Sequence, residues 1–148
     1  MRIGWCYLDK RDATIRALKD YDSMKFIIEH TDEKIKSVSD QMTSIGSPGF
    51  EEHIRADNPK AGEEKLIKMI DEIDTLKERY RQAMEFMDWF EPAWKQLSED
   101  ERYVLESSYL DNTDREEICA HLFIEKDAFY KRRKNAQNHL VTLLYGVA

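Results

Sequence analysis

Two heptad patterns run through the first 90 residues of this chain and restrict that part of it to helical structure. From about Asp12 to Ile45, one row of apolar residues comprises Tyr21, Ile28, Ile35 and Met42, and its companion row comprises Ala17, Met24, Val38 and Ile45. From Glu63 to Phe90, the corresponding rows are Leu66, Ile73, Tyr80 and Met87, and Met69, Leu76, Ala83 and Phe90. Apolar residues at this spacing form a stripe along one face of an α-helix. The sequence therefore predicts two long amphipathic helices in an all-α protein.

A segment rich in helix breakers separates the two patterns. Residues 46–62 contain three glycines and two prolines, which predict a loop. Two stripes joined by such a loop are satisfied by an antiparallel helical hairpin over residues 1–92, in which each helix covers the other's apolar face. Seams this narrow bury little apolar area, so we expect homo-oligomers, most simply dimers, formed through the N-terminal helices. The alternative is a compact monomeric bundle.

Near residue 92 the character of the sequence changes. Pro92 lacks the amide that an uninterrupted helix needs, which predicts a kink or a restart. Trp89, Phe90 and Trp94 provide apolar area at this junction, and we expect them to pack rather than to bind a ligand. We therefore place the boundary of a C-terminal domain here, with residues 93–148 on its far side.

The sequence of the C-terminal domain predicts three short helices. Ser98 and Glu101 form a capping-box pattern that begins the first helix. Asp114, with Glu117 three residues later, begins a second helix that ends near Leu122. The third begins near Lys126 after a three-residue turn. A short helix, a tight turn and a longer helix are the pattern of a helix-turn-helix.

Positive charge is concentrated on the third of these helices. Residues 126–134 hold five basic side chains and one acid, a local net charge of +4 in a chain of net charge −7, which leaves −11 on residues 1–125. A cationic helix on an acidic protein predicts contact with DNA phosphates. For base readout in the major groove we assign Lys126, Asp127, Tyr130 and Lys131. Assigned to backbone positioning or to the flanks are Arg132, Arg133 and Lys134.

About 45 residues of this region resemble region four of bacterial primary sigma factors, and still more the phage and prophage transcription regulators of the ArpU type. The opening Leu97–Arg102 fits that pattern. The remaining matching positions are Glu116, Glu117, Ile118, Leu122, Phe129, Ala136 and Leu140. Three positions depart from it: Phe123 stands where glycine is frequent, Glu125 where serine or threonine usually caps, and Arg132 where sigma factors have an apolar residue. The resemblance implies control of phage genes by promoter binding.

Other classes of function find little support in the sequence. The four histidines and the isolated Cys6 and Cys119 form no nucleophile or metal-ligand motif, so we expect no enzyme, no metal and no cofactor. No apolar run approaches the roughly 20 residues that span a bilayer, and residues 9–12 are charged where a signal peptide is apolar, so we expect a cytoplasmic protein without a membrane partner.

The sequence thus predicts a sequence-specific DNA-binding transcriptional regulator. Its partners would be double-stranded DNA and, through the hairpin, RNA polymerase. Two alternatives stay open. One is a DNA-packaging recognition protein like the phage small terminase subunits, and the other is an acidic helical adaptor whose three C-terminal helices are only structural.

Overall fold

The computed structural model describes residues 9–45 and 61–146, and every regular secondary-structure element within these ranges is an α-helix. The helices are α1 (Lys10–Ile45), α2 (Ala61–Gln96), α3 (Glu99–Tyr109), α4 (Arg115–Leu122) and α5 (Lys126–Tyr145). The all-α prediction is confirmed for this part of the chain. None of these helices combines the length and apolar character needed to cross a membrane.

Helix α2 begins two residues earlier than the predicted end of the loop allows. Helix α2 begins at Ala61, so Ala61 and Gly62 lie in its first turn instead of in the predicted 46–62 loop. A glycine costs little there because the first turn of a helix is its most weakly restrained part. The rest of that predicted loop, residues 46–60, lies outside the described residues.

Contacts divide the described chain into two units, and both long helices contribute to each of them. One unit contains residues 9–23 and 86–146, and the other contains residues 24–45 and 61–85. The three short helices therefore share a unit with the beginning of α1 and the end of α2.

The unit formed by residues 24–45 and 61–85 has a narrow apolar seam. Its cluster is centred on Val38, Met69 and Leu76. Packed against these three are Ile35, Met42, Leu66 and Ile73. All seven residues belong to the predicted heptad rows, so the periodicity identified the side chains through which α1 and α2 meet in this unit.

The other unit has an aromatic core around Phe90, which is fully buried. The ring of Phe90 lies 5.1 Å from that of Tyr21 in α1 and 5.9 Å from that of Trp94, measured between ring centres. Trp89 extends the cluster to α5, because its ring centre is 5.7 Å from that of Tyr145. Large aromatic side chains here join three helices, as their predicted packing role requires.

Helix α2 passes through Pro92 without restarting. Pro92 is exposed inside the helix, which continues to Gln96. A proline at this position removes the amide that would pair with the carbonyl of Asp88, and its exposure lets water take that place. Ala93, Trp94 and Leu97 are buried immediately after it. Their burial keeps the end of α2 attached to the core.

Helices α3, α4 and α5 contact one another around a second cluster. Each contributes one almost fully buried residue, namely Val104, Ile118 and Phe129. Leu105 is likewise buried on α3, and Ala136, Leu140 and Val141 are buried on α5. Of the positions that match the sequence pattern, Ile118, Phe129, Ala136 and Leu140 are therefore buried, whereas Leu122 is only partly buried.

We predict that Phe90→Ala lowers the free energy of unfolding by about 3 to 5 kcal/mol, because it removes a buried ring at the centre of the aromatic core. Urea denaturation followed by circular dichroism measures the change. Phe26→Ala is the matched control, since Phe26 is 55% exposed on α1, and its cost stays below about 1 kcal/mol. Equal losses for the two variants would contradict the central place of Phe90.

Candidate nucleic-acid interface

The turn between α4 and α5 places a bulky residue in a conformation that favours glycine. Phe123 has φ 55° and ψ 45°, in the left-handed region, and its side chain is 94% exposed. The amides of Phe123 and Ile124 both donate to the carbonyl of Cys119 and so close the end of α4. Leu122 and Ile124, on either side of Phe123, pack into the second cluster. This packing holds the turn although the backbone of Phe123 is strained.

Side-chain caps are absent at the starts of α4 and α5. Asp114 and Glu125 occupy the N-cap positions, but neither side chain accepts a hydrogen bond from its helix. Both helices nevertheless begin one residue later, at Arg115 and Lys126, as predicted. Packing of the neighbouring apolar residues therefore defines these starts more than capping does.

Burial of three residues on one side of α5 determines which residues face outward. Phe129, Ala136 and Leu140 are buried. At 3.6 residues per turn, the opposite side of the helix carries Asp127, Lys131 and Lys134, all of them exposed. We call these three residues the outer ridge. Lys126 is also exposed, at the first position of the helix.

Within residues 9–45 and 61–146, no carboxylate forms an ion pair with Lys126, Lys131 or Lys134. The pKa of Glu116 is lowered first by its own backbone amide, then by Arg115, and least by the more distant charge of Lys126. Two exposed ammonium groups on the outer ridge thus remain available to an external anion.

Arg132 points to a different side of α5. Its guanidinium lies 3.8 Å from the carboxylate of Asp100, in the first turn of α3. About two turns further along α5, His139 Nδ1 lies 2.7 Å from Glu101 Oε2. These two contacts connect α5 to the start of α3. The structure therefore places Arg132, one of the predicted DNA-binding residues, beside an acid and apart from the outer ridge.

The predicted capping box at the start of α3 is confirmed. The amide of Glu101 donates to Ser98 Oγ at 3.2 Å, and the amide of Ser98 donates to Glu101 Oε1 at 3.1 Å. Partial burial raises the pKa of Glu101, but the hydrogen bonds with His139 and Ser98 outweigh it, so that the pKa lies below its ordinary value of 4.5. The charged form of Glu101 therefore stabilises the folded protein.

Arg133 rests on aromatic rings. Its guanidinium carbon lies 5.8 Å from the ring centre of Tyr109, 5.5 Å from that of Phe129 and 5.4 Å from that of Tyr130. The residue is half-buried, and no carboxylate among the described residues pairs with it. Cation–π contacts hold the guanidinium in place without neutralising its charge.

Arg115 belongs to the same surface, although the sequence analysis did not single it out. It donates from Nη1 to the hydroxyl of Tyr130 at 2.9 Å and from Nη2 to Glu116 at 3.0 Å. Both interactions raise the pKa of Arg115. Near Arg115 itself, the sequence shows only a basic side chain at the first position of α4, because its partner Tyr130 is 15 residues away. Its place at the interface depends on how α4 packs against α5.

Comparisons with known proteins add no relative. No protein-family model, no curated protein and no solved structure matches this chain. We therefore infer function from the arrangement of charge on α4 and α5. Exposed cations without acidic partners in the described part of the chain, on a helix supported by a buried face, are suited to binding a polyanion.

We predict that Phe123→Gly stabilises the protein by about 1 kcal/mol relative to Phe123→Ala. Glycine adopts the left-handed conformation without strain, whereas alanine keeps the strain, and neither loses packing because the ring is exposed. Thermal unfolding of the two variants at one pH gives the comparison. A less stable glycine variant would show that the turn is not strained.

We predict a pH-dependent effect of Glu101→Gln. Glutamine retains the capping geometry, so the substitution removes mainly the charge. Because the folded-state pKa of Glu101 is lowered, the carboxylate stabilises the protein above pH 4.5, and this contribution is lost as the pH falls through the folded-state pKa. The variant is therefore less stable than the parent at pH 5.5, and the difference shrinks towards pH 3.

Urea denaturation at each pH measures this difference. Glu99→Gln is the control, since it removes an exposed acid from the same turn of α3. A gap between Glu101→Gln and the parent protein that stays constant from pH 5.5 to pH 3 would contradict the assignment.

Proposed function

We propose that this protein binds double-stranded DNA and reads its sequence with α5. The observation that carries this proposal is the outer ridge, on which Lys131 and Lys134 are exposed, lack acidic partners among the described residues and lie opposite the buried Phe129. The like charges of the two lysines repel each other in the free protein. Contact with the negatively charged phosphates of DNA is favourable for both of them.

The dimensions of α5 support entry into the major groove. An α-helix with its side chains is about 10 to 12 Å across, and the major groove of B-form DNA is about 12 Å wide. The three residues between α4 and α5 keep the two helices adjacent, which is the relation that a helix-turn-helix requires. In this arrangement, the exposed Lys126, Asp127 and Lys131 lie in the first two turns of α5, where side chains reach base edges.

Within this class, we propose a transcriptional regulator of phage or prophage genes. The resemblance of residues 97–140 to sigma region four and to ArpU-type regulators supports it. The N-terminal helices then form an antiparallel hairpin that dimerises the protein or binds RNA polymerase. The shared apolar cluster of α1 and α2 supports the hairpin, and its narrowness supports association with a second chain.

We predict that the double variant Lys131→Ala and Lys134→Ala weakens duplex binding and its dependence on salt. Each lost phosphate contact lowers the slope of log affinity against log salt by about 0.9. Fluorescence anisotropy at several salt concentrations measures both quantities, using a duplex enriched from a random pool by the parent protein. The control is the double variant Lys68→Ala and Lys77→Ala, which removes the same charge from exposed positions of α2.

The same experiments separate the proposal from its alternatives. Equal affinities and slopes for the two double variants would exclude α5 as the contact surface. Enrichment of a defined motif supports a regulator, whereas no retained duplex at low salt indicates a protein adaptor. Light scattering adds the assembly size, because a dimer agrees with the regulator and a ring agrees with a packaging protein.

A further inference from the structure

Hydrogen-bond donors outnumber acceptors on the surface where α4 meets α5. Arg115 of α4 and Arg133 of α5 both approach the ring of Tyr130, with guanidinium carbons 5.9 and 5.4 Å from its centre. The side chain of Arg115 is 34% exposed, and Tyr130 is 41% exposed. We call Arg115, Tyr130 and Arg133 the arginine clamp.

The acceptors recorded at this clamp are few. The hydroxyl of Tyr130 accepts one hydrogen bond from Arg115 and keeps its own proton for donation. Glu116 accepts a hydrogen bond from Arg115, but its side chain is 77% exposed, so water competes with it for the donors of Arg115. Each guanidinium carries five N–H groups, and no acceptor for those of Arg133 is recorded within the described residues. An anion with several oxygens would satisfy these donors.

The position of the clamp indicates which anion. Tyr130 precedes Lys134 of the outer ridge by one turn of α5, so clamp and ridge are neighbours on the same helix. A helix in the major groove has a sugar–phosphate backbone on each flank, and the adjoining helix of the pair crosses that backbone. Arg115 lies on this adjoining helix, α4.

We propose that the arginine clamp binds the phosphodiester backbone of one DNA strand, with Arg115 and Arg133 as charged donors and the Tyr130 hydroxyl between them. This inference rests on the proposed function, because it assumes that α5 lies in the groove. It assigns Tyr130 to the backbone instead of to base readout, and it adds Arg115 to the DNA-contacting residues. On binding, a phosphate replaces Glu116 as the partner of Arg115.

Methylphosphonate substitution tests the clamp directly, because it removes the charge of one phosphate at a time. The probe is the duplex enriched by the parent protein, prepared with a single neutral linkage at each successive position. We expect one or two adjacent linkages to cost the parent protein about tenfold in affinity and to cost Arg115→Gln less than twofold. Arg115→Gln also lowers the salt slope by about 0.9 on the unmodified duplex.

Four further variants control for charge and folding. Arg79→Gln removes an exposed arginine of α2 and leaves the slope unchanged. Arg115→Lys keeps the point charge and retains the slope, so a smaller slope found only in Arg115→Gln reports the lost charge. Glu116→Gln removes the carboxylate that pairs with Arg115 and therefore tightens DNA binding. Glu117→Gln, the control, removes an exposed neighbouring acid of α4 and tightens binding less.

The outcomes distinguish the clamp from the proposed function. If the parent protein retains no duplex, the proposed function fails and the clamp fails with it. If the parent protein binds but every neutral linkage costs it and Arg115→Gln equally, the clamp is wrong while the function of α5 stands. If Tyr130→Phe weakens binding with an unchanged salt slope, the hydroxyl contributes a neutral hydrogen bond, as proposed.

Discussion

Burial of Phe129 against Val104 and Ile118 fixes the rotation of α5, and the functional surface depends on that rotation. Basic side chains occupy several sides of this helix, so its charge alone does not define a binding face. Once Phe129, Ala136 and Leu140 are buried, the outer ridge is exposed by helical geometry. A helix rotated by a third of a turn would turn other cations outward and draw the ridge lysines towards the protein.

The rotation also divides the basic residues by environment. The ridge lysines remain in solvent, whereas Arg132 meets Asp100 and Arg133 rests on three aromatic rings. Lysine is a flexible point charge, and arginine is planar and stacks on rings, so the two residue types suit these different places. The four consecutive cations at residues 131–134 thus have three different kinds of surroundings: solvent, a carboxylate and aromatic rings.

Tertiary packing compensates for weak local sequence at the start of α5. The left-handed Phe123 and the uncapped Glu125 are both unfavourable choices for a tight turn before a helix. Leu122 and Ile124 flank that turn and pack into the cluster formed by α3, α4 and α5. The aromatic core around Phe90 then joins these helices to α1 and α2 within the same unit. Rigid support of this kind suits a helix that must present side chains to a ligand.

Local rules were sufficient for the helices and for much of the core. Periodicity identified the heptad residues that pack, and the capping box placed the start of α3, because these features depend on neighbours within a few residues. The contacts of Arg115 with Tyr130, Asp100 with Arg132 and Glu101 with His139 were not predictable in this way. They join residues on different helices, so they exist only once the packing of α3 and α4 on α5 has set their separation.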